Sequence, residues 1–248
     1  MALKLLWRRD NLDLLRIEGL KAGYKGLNVL WEIDLGVKKN TIVSIIGSNG
    51  SGKTTLLNAI MGLVEVSDGE VIFRGERINR LKTQERIALG LAFVPSEREL
   101  FPQMSVEDNL MLGAFSPRAR KKIKDSLNQI YEFFPILRER SKQLAGTMSG
   151  GEQQMLAIGR ALMSRPDLLI LDELSTGLAP AVTMKIYKKL TGLSERMTVL
   201  LAEQNIHQAF MVSDYIYVLE NGRIVASGTP DELSESSLIK SAYLGVEA

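Results

Sequence analysis

A glycine-rich stretch at residues 47–54, Gly-Ser-Asn-Gly-Ser-Gly-Lys-Thr, limits the possible folds of this chain more than any other segment. It follows an apolar, β-branched run at 41–46, which predicts a strand, and precedes 55–61, whose composition predicts a helix. A strand, a glycine-rich turn and a helix start in this order match the phosphate-binding pattern G-x-x-x-x-G-K-[ST]. The glycines let successive backbone N–H groups point into one concavity, and the following helix adds its positive end. The sequence therefore predicts an anion site in an α/β fold.

The last residues of this stretch have specific expected roles. Lys53 would reach the outer phosphates of a nucleotide as a point charge and is counted among the catalytic residues. The Thr54 hydroxyl would hold a Mg²⁺ ion that bridges those phosphates. A surface turn that matches the pattern by chance is the alternative, and the flanking strand and helix argue against it. The nucleotide contacts predicted here are Gly47, Ser48, Asn49, Gly50, Ser51, Gly52, Lys53, Thr54 and Thr55.

Composition excludes several other classes of protein. The 248 residues are 45% hydrophobic and 24% charged, which resembles an ordinary soluble α/β protein rather than a disordered or fibrous one. A formal net charge of only +2 gives no overall electrostatic reason to expect nucleic acid as a partner. Cysteine is absent, so disulfides and thiolate metal sites are excluded. No apolar run approaches the ~20 residues that a membrane-spanning helix needs.

The rest of the pattern predicts a single domain over 14–248, preceded by an N-terminal extension over 1–13. Strands are predicted at 14–19, 29–35, 71–73, 168–172, 198–202, 215–219 and 223–226, and a turn at 67–70. Helical spacing is found at 77–87, 105–112, 119–134 and 152–164, from near Pro180, and from Thr229-Pro230. Asn221-Gly222 predicts a hairpin between the last two strands. We expect a mostly helical insert at about 95–150, carried on the larger α/β core.

A second nucleotide signal is Asp172-Glu173, which follows the apolar run 168–171. A carboxylate at the carboxyl end of a buried strand lies where α/β folds bind ligands. Asp172 could hold Mg²⁺ through water, and Glu173 could polarise a water in line with the terminal phosphate, a general-base role worth roughly 10²- to 10⁴-fold in rate. The same dipeptide is also a common helix-capping sequence, so on its own it leaves both interpretations open.

A third signal, Met-Ser-Gly-Gly-Glu-Gln-Gln at 148–154, is a second glycine-rich helix start. One chain with two such starts but one loop lysine suggests that each nucleotide is held between two subunits. At this point the sequence resembles the ATP-binding cassette (ABC) ATPases, whose signature motif is LSGGQ, here with Met148 in place of Leu. The glycine-rich loop, the signature, Asp172-Glu173 and the terminal hairpin come in that family's order over about residues 14–244. The resemblance implies a P-loop nucleotide-hydrolase core of mainly parallel sheet, with an antiparallel β edge and a helical subdomain.

The resemblance also implies roles for individual residues. Tyr24 matches the aromatic residue that stacks on adenine, although a lone aromatic more often serves packing. Residues 175–179 match the D-loop, which faces the partner subunit. The residues that match the segment closing on the phosphate of the opposite subunit are Ser149, Gly150, Gly151 and Gln153. ATP and Mg²⁺ are the implied cofactors, and closure of a dimer over ATP is the implied working stroke, passed to membrane-spanning partners through the helical insert.

Three positions depart from the family pattern. Ser96 stands where the family has Gln or Glu and is too short to reach as far towards Mg²⁺ and water, so either Glu97 substitutes or that contact is weaker. Leu174 replaces a proline after the catalytic Glu173. Gln204 stands at the position of the switch histidine, where it can donate to the terminal phosphate without carrying charge. The only histidine, His207, lies three residues beyond that position.

Gln204 and its neighbours narrow the resemblance further. Glu-Gln-Asn at 203–205, Gly-Leu-Ala-Pro at 177–180, the helix at 151–162 and the ending Ala-Tyr-Leu-Gly at 242–245 resemble ATP-binding subunits of branched-chain amino-acid importers. This implies membrane-spanning permease subunits, a second identical or different ABC subunit, and indirectly a solute-binding protein, at the cytoplasmic face of the cell membrane. Subunits for urea or short amides share much of the pattern. A soluble ABC ATPase and an ATP-binding regulator without turnover are further alternatives.

Overall fold

The chain consists of two compact units. The computed structural model describes residues 13–194 and 197–235. One unit consists of the described residues up to Leu81 and from Ser194 onwards, and the other is Lys82–Leu193. The predicted extension lies outside the described residues except for Asp13, as does the predicted likeness at 242–245. The single domain over 14–248 and its helical insert stay predictions.

Strands and helices alternate along most of the described chain. The strands are β1 (Asp13–Tyr24), β2 (Leu27–Lys38), β3 (Ile42–Ile46), β4 (Glu65–Phe73), β5 (Glu76–Arg77), β6 (Leu91–Val94), β7 (Leu168–Asp172), β8 (Thr198–Glu203), β9 (Tyr215–Glu220) and β10 (Arg223–Gly228). The helices are α1 (Lys53–Met61), α2 (Thr83–Leu89), α3 (Val106–Leu112), α4 (Pro117–Arg120), α5 (Ile123–Phe133), α6 (Pro135–Glu139), α7 (Gly150–Met163), α8 (Pro180–Ser194), α9 (Ile206–Val212) and α10 (Pro230–Glu235).

An antiparallel sheet in the first unit has the strand order β2-β1-β4-β5. The turn predicted at 67–70 is wrong, because these residues lie within β4 and pair with β1. The pairing register shifts twice here: between Glu18 and Lys21 the extra residue lies in β1, opposite Gly69, and between Lys21 and Ala22 the extra residue is Ser67 in β4. Gly69 lies between the two shifts and has φ +84°. A Cβ on Gly69 would lie 2.5 Å from the carbonyl oxygen of Gly19. Turn-forming residues are therefore absorbed here by a bulge inside a long strand.

The other strands of the first unit are ordered β10-β9-β3-β8, with β3 parallel to both β8 and β9. All five residues of β3 are buried, which explains its continuous apolar run. Ile46 at its end belongs to a cluster with Ala209, Ile216, Val218 and Leu233. This packing fixes the point at which the chain leaves β3 and enters the glycine-rich loop.

In the second unit, β6 and β7 pair in parallel and several helices pack on α7. Gly159 of α7 makes this packing possible, because a Cβ there would lie 2.9 to 3.3 Å from side-chain carbons of Leu110, Ile130 and Leu137. Each of these three side chains comes from a different helix and is buried. Burial of each side chain contributes about 1.5–3 kcal/mol to stability. Because helices α3, α5 and α6 all pack on it, α7 is the central helix of this unit.

Two predicted helices are corrected. The helix predicted at 77–87 begins only at Thr83, after the extended Lys82, because Arg77 pairs with Ile72 in the sheet. The helix predicted at 119–134 is two helices, since α4 ends at Arg120 and α5 begins at Ile123. Within the part of the chain that the structure describes, no helix combines the length and apolar character needed to cross a membrane.

Candidate nucleotide-binding site

Residues 47–52 form a tight loop after β3, and α1 begins at Lys53, in the strand, turn and helix order that was predicted. Gly50 (φ +79°) and Gly52 (φ +108°) have left-handed conformations, which glycine adopts without steric cost. Gly47 has no room for a side chain, since a Cβ would lie 2.3 Å from the carbonyl oxygen of Leu219 and 2.6 Å from Ser51 Oγ. The backbone therefore makes the curl that a phosphate cradle requires.

The hairpin between β9 and β10 supports this loop. Asn221 (φ +48°) and Gly222 (φ +73°) form its two-residue turn, as the Asn-Gly sequence predicts. Gly222 donates its N–H to the carbonyl of Ser51 at 2.9 Å and accepts from the N–H of Trp31 at 2.8 Å. A Cβ on Gly222 would lie 1.9 Å from the carbonyl oxygen of Val29. Strands that are distant in sequence thus hold the glycine-rich loop in place.

The loop has the charge and the donors that an anion needs. Lys53 is only 4% exposed, and its ammonium donates to the carbonyls of Gly47 at 3.0 Å and Ser48 at 3.1 Å. The first turn of α1 has no acidic residue, so the positive end of the helix is not neutralised there. Among the described residues, the buried Oγ of Ser51 has no hydrogen-bond partner, a requirement that a phosphate oxygen would meet. Thr54, by contrast, lies exposed in the first turn.

Gln204 lies at the same sheet edge as the loop. Strand β8 pairs with β3 so that Glu203 is opposite Ile46. Gln204 and Gly47 are therefore the next residues beyond the carboxyl ends of two neighbouring parallel strands, where α/β folds bind ligands. The Gln204 side chain is exposed, and so is His207 in the first turn of α9.

Tyr24 is the last residue of β1 and pairs with Leu27 across a short turn. It is 48% exposed, so its ring is accessible, as a stacking residue requires. Its role in binding adenine stays a prediction.

In the second unit, the predicted carboxylates lie at the end of β7. Asp172 is 1% exposed, and Glu173 has φ +47°, a conformation uncommon for residues with a Cβ and concentrated at functional sites. Thr176 holds this turn by donating its N–H to the Glu173 carbonyl at 3.2 Å and its hydroxyl to Glu173 Oε2 at 3.3 Å. The next helix begins only at Pro180. The helix-capping interpretation therefore fails, and the strained backbone favours the functional one.

The signature segment begins α7 with a capping box. Ser149 Oγ accepts from the N–H of Glu152 at 3.4 Å, and Glu152 Oε2 accepts from the N–H of Ser149 at 2.9 Å. The carboxylate of Glu152 also pairs with Arg140 at 3.2 Å. The carboxylate of Glu152 is therefore engaged in fixing the helix start that carries Ser149.

Packing and hydrogen bonds restrict the next residues of the signature. A Cβ on Gly151 would lie 2.4 Å from Cγ1 of Val182 in the first turn of α8, so any side chain there would force Val182 to move. The Gln153 amide donates to the carbonyls of Ala145 at 3.3 Å and Met148 at 3.2 Å. The Gln153 side chain thus holds the segment before α7, whereas its predicted phosphate contact stays a prediction.

Sequence reasoning gave no role to two arginines here, Arg98 in the loop after β6 and Arg160 on α7. Arg98 donates from Nε to Gln154 Oε1 at 2.9 Å, and Arg160 of α7 donates to the carbonyls of Arg98 at 3.0 Å and Glu99 at 2.8 Å. Burial lowers the pKa of the Arg160 guanidinium, and the nearby charge of Glu99 partly offsets this. Arg98 belongs to no motif or periodic pattern, and Arg160 lies within the predicted helix at 152–164, where nothing in the local sequence indicates a contact with the loop. Ser96 lies half-buried in the same loop and Glu97 is exposed.

The first unit thus brings together the glycine-rich loop, Lys53 and Gln204, and the second brings together the signature segment, the turn after β7 and the loop after β6. A glycine-lined, cationic helix start after a buried parallel strand defines a P-loop nucleotide-binding protein. Residues 30–176 match the protein family described as "ABC transporter".

Individual relatives agree with this family match. The high-affinity branched-chain amino acid transport ATP-binding protein BraG of Pseudomonas aeruginosa is 42% identical over 94% of this chain and 100% of its own length. The probable branched-chain amino acid transport ATP-binding protein LivF of Archaeoglobus fulgidus is 38% identical over 94% of this chain and 99% of its own. An ATP-binding cassette of an ABC transporter, solved in its ADP conformation, superposes with a TM-score of 0.82 at 27% identity, over 94% of this chain and 99% of that one. The chain belongs to the ABC transporter family, as an ATP-binding subunit, and its predicted fold class is confirmed.

Proposed function

We propose that the chain is the ATP-hydrolysing subunit that powers import of branched-chain amino acids through membrane-spanning partners. The single observation that carries the proposal is the buried, cationic P-loop in a chain that is 42% identical to BraG over nearly its whole length. The solute is proposed from the names of the relatives. ATP hydrolysis follows from the family and from the strained Glu173 at the end of a buried strand.

Within one subunit, each predicted residue has a distinct task. The P-loop amides and Lys53 bind and orient the phosphates, and the Tyr24 ring is available to stack on the base. Thr54 and Asp172 offer the oxygen ligands that Mg²⁺ prefers, and the ion would supply neutralisation of charge on the phosphates. The Glu173 carboxylate accepts a proton from the attacking water. Gln204 donates to the terminal phosphate.

A second ABC subunit, identical or different, completes each site. Ser149 and Gly150 form a tip at the N-terminus of the 14-residue α7. Helix N-termini attract anions. Ser149 is an exposed residue of this tip. We propose that this tip closes on the terminal phosphate held by the P-loop of the partner, and that hydrolysis lets the pair separate.

The membrane-spanning partners would dock on an apolar groove of the second unit. The groove has a volume of about 230 Å³, and Phe101, Leu112 and Phe115 at its rim are 51%, 42% and 48% exposed. Exposed aromatic and aliphatic side chains around a groove are typical of protein interfaces. The chain would then lie at the cytoplasmic face of the membrane, and a solute-binding protein would act on it only through those partners.

The test compares ATP hydrolysis by the wild type and Glu173→Gln. We expect a loss of roughly 10²- to 10⁴-fold in kcat, because the variant keeps the shape but cannot accept a proton. Equal rates would remove Glu173 from its role.

For the solute, a cell lacking this chain should lose ATP-dependent uptake of leucine, isoleucine and valine. Loss of urea uptake instead would favour the urea and amide alternative.

A further inference from the structure

We propose that Arg98 is a positioning residue that joins three segments of the second unit: the loop after β6, the start of α7 and the turn after Glu173. The inference rests on the proposed function, because it assigns Arg98 to the closure of the signature tip over nucleotide. Arg98 would not touch ATP. It would hold the segments that do so in one arrangement.

The side chain of Arg98 reaches two of these segments from its own loop. Its Nε donates to Gln154 Oε1 at 2.9 Å, and its Nη1 lies 3.5 Å from Gln153 Oε1, both in the first turns of α7. Its Nη2 donates to the carbonyl of Thr176 at 3.4 Å. Thr176 is the residue that holds the strained turn at Glu173. One planar guanidinium therefore connects the signature helix to the turn that carries the proposed base.

The backbone of Arg98 is held as firmly as its side chain. Arg98 (φ +62°) and Glu99 (φ +46°) are consecutive non-glycine residues in the left-handed region, which costs free energy and persists only where neighbours enforce it. Arg160 of α7 enforces it with two hydrogen bonds to the carbonyls of these residues. The Arg98 side chain thus binds α7 through Gln154, and α7 binds the Arg98 backbone through Arg160. A shift of the loop must therefore move the helix start.

The positive charge of Arg98 lies near the N-terminus of α7, where a cation is unfavourable. A Cβ on Gly150 would be 3.6 Å from Nη1 and 3.7 Å from Nη2, so the guanidinium lies over the first residue of α7. Cations at helix N-termini are unfavourable, because the macrodipole is positive there. The arrangement becomes favourable once an anion binds at the tip, since the guanidinium and the helix end then both attract it.

Gln154 offers a matched partner for the test. It is 2% exposed, and within the described part of the chain its Nε2 has no hydrogen-bond partner. Within the described residues, the Gln154 amide therefore makes its hydrogen bond through Oε1, which accepts from Arg98. Gln154→Met keeps the length of the side chain and removes that acceptor.

The experiment uses the full chain and compares wild type, Arg98→Ala, Arg98→Lys, Gln154→Met and the double variant Arg98→Ala/Gln154→Met. We expect Arg98→Ala to lower kcat for ATP hydrolysis about 10- to 100-fold, while KM for ATP and the thermal midpoint stay close to wild type. Arg98→Lys should restore only part of the rate, because an ammonium cannot bridge separate acceptors as a fork does. The double variant should be no slower than Arg98→Ala, because both changes break one interaction.

A second readout is ATP-dependent pairing of subunits in the Glu173→Gln background, measured by light scattering. Arg98→Ala should raise the ATP concentration needed for pairing. Arg120→Ala, which removes an exposed arginine of α4, should change neither readout. A wild-type kcat and wild-type pairing in Arg98→Ala would overturn the inference and leave the proposed function standing. A wild type that neither hydrolyses ATP nor pairs would overturn both.

Discussion

Lys53 carries its charge in an almost fully buried position, with two backbone carbonyls as hydrogen-bond acceptors. We predict that Lys53→Ala reduces the affinity for ATP at least 100-fold, because a charged contact to phosphate in a desolvated loop is lost. Isothermal titration calorimetry with ATP measures this directly. Lys39→Ala, which removes an exposed lysine between β2 and β3, is the control and should bind as wild type does. Full ATP affinity in Lys53→Ala would reject the loop as the phosphate site.

At the scale of elements, the contact between α7 and α8 depends on the absence of one side chain. Gly151→Ala would place a Cβ 2.4 Å from Val182 Cγ1, and a β-branched side chain has few rotamers with which to move away. We predict a loss of about 1–3 kcal/mol in the free energy of unfolding, the usual cost of overpacking. Differential scanning fluorimetry of the nucleotide-free protein should report a lower midpoint.

The neighbouring glycine and Val182 provide the controls for this prediction. A Cβ on Gly150 would approach only to 3.5 Å of Leu178, an ordinary contact, so Gly150→Ala should change the free energy of unfolding by no more than about 0.5 kcal/mol. Adding Val182→Ala to Gly151→Ala should restore part of the stability, because the clashing methyl group is removed. Equal destabilisation by both alanines would show that helix-start chemistry, and not packing, matters here.

The elements that sequence reasoning placed correctly are those whose signal is local. In the glycine-rich loop and the Asn221-Gly222 hairpin, the residues themselves favour the left-handed backbone conformation that is observed. Strand β3 has a continuous apolar run. The turn predicted at 67–70 failed because pairing with β1 overrides local turn preference and converts it into a bulge. Arg98 was missed because its partners lie 55 to 78 residues away, a separation that leaves no trace in a local pattern.

At the scale of the whole molecule, the chemistry is divided between the two units. The first supplies the phosphate-binding loop and Gln204, and the second supplies the proposed base and the signature tip. Each unit also has its own means of holding its segment in place: the β9–β10 hairpin supports the loop, and α7 holds the turns around it. Nucleotide binding and hydrolysis should therefore be separable by mutation.

Binding of ATP should stabilise the folded chain by mass action. At 100 times its Kd, a ligand that binds only the folded state adds about 2.7 kcal/mol, which for a chain of this size corresponds to a rise of roughly 5–10 °C in the thermal midpoint. Glu173→Gln should show the full shift, because its P-loop is unchanged, whereas Lys53→Ala should show almost none. AMP lacks the outer phosphates that the loop and Lys53 bind, so it should shift the midpoint far less than ATP at equal concentration. An AMP shift as large as that of ATP would place the binding energy in the base and sugar and would contradict a phosphate cradle.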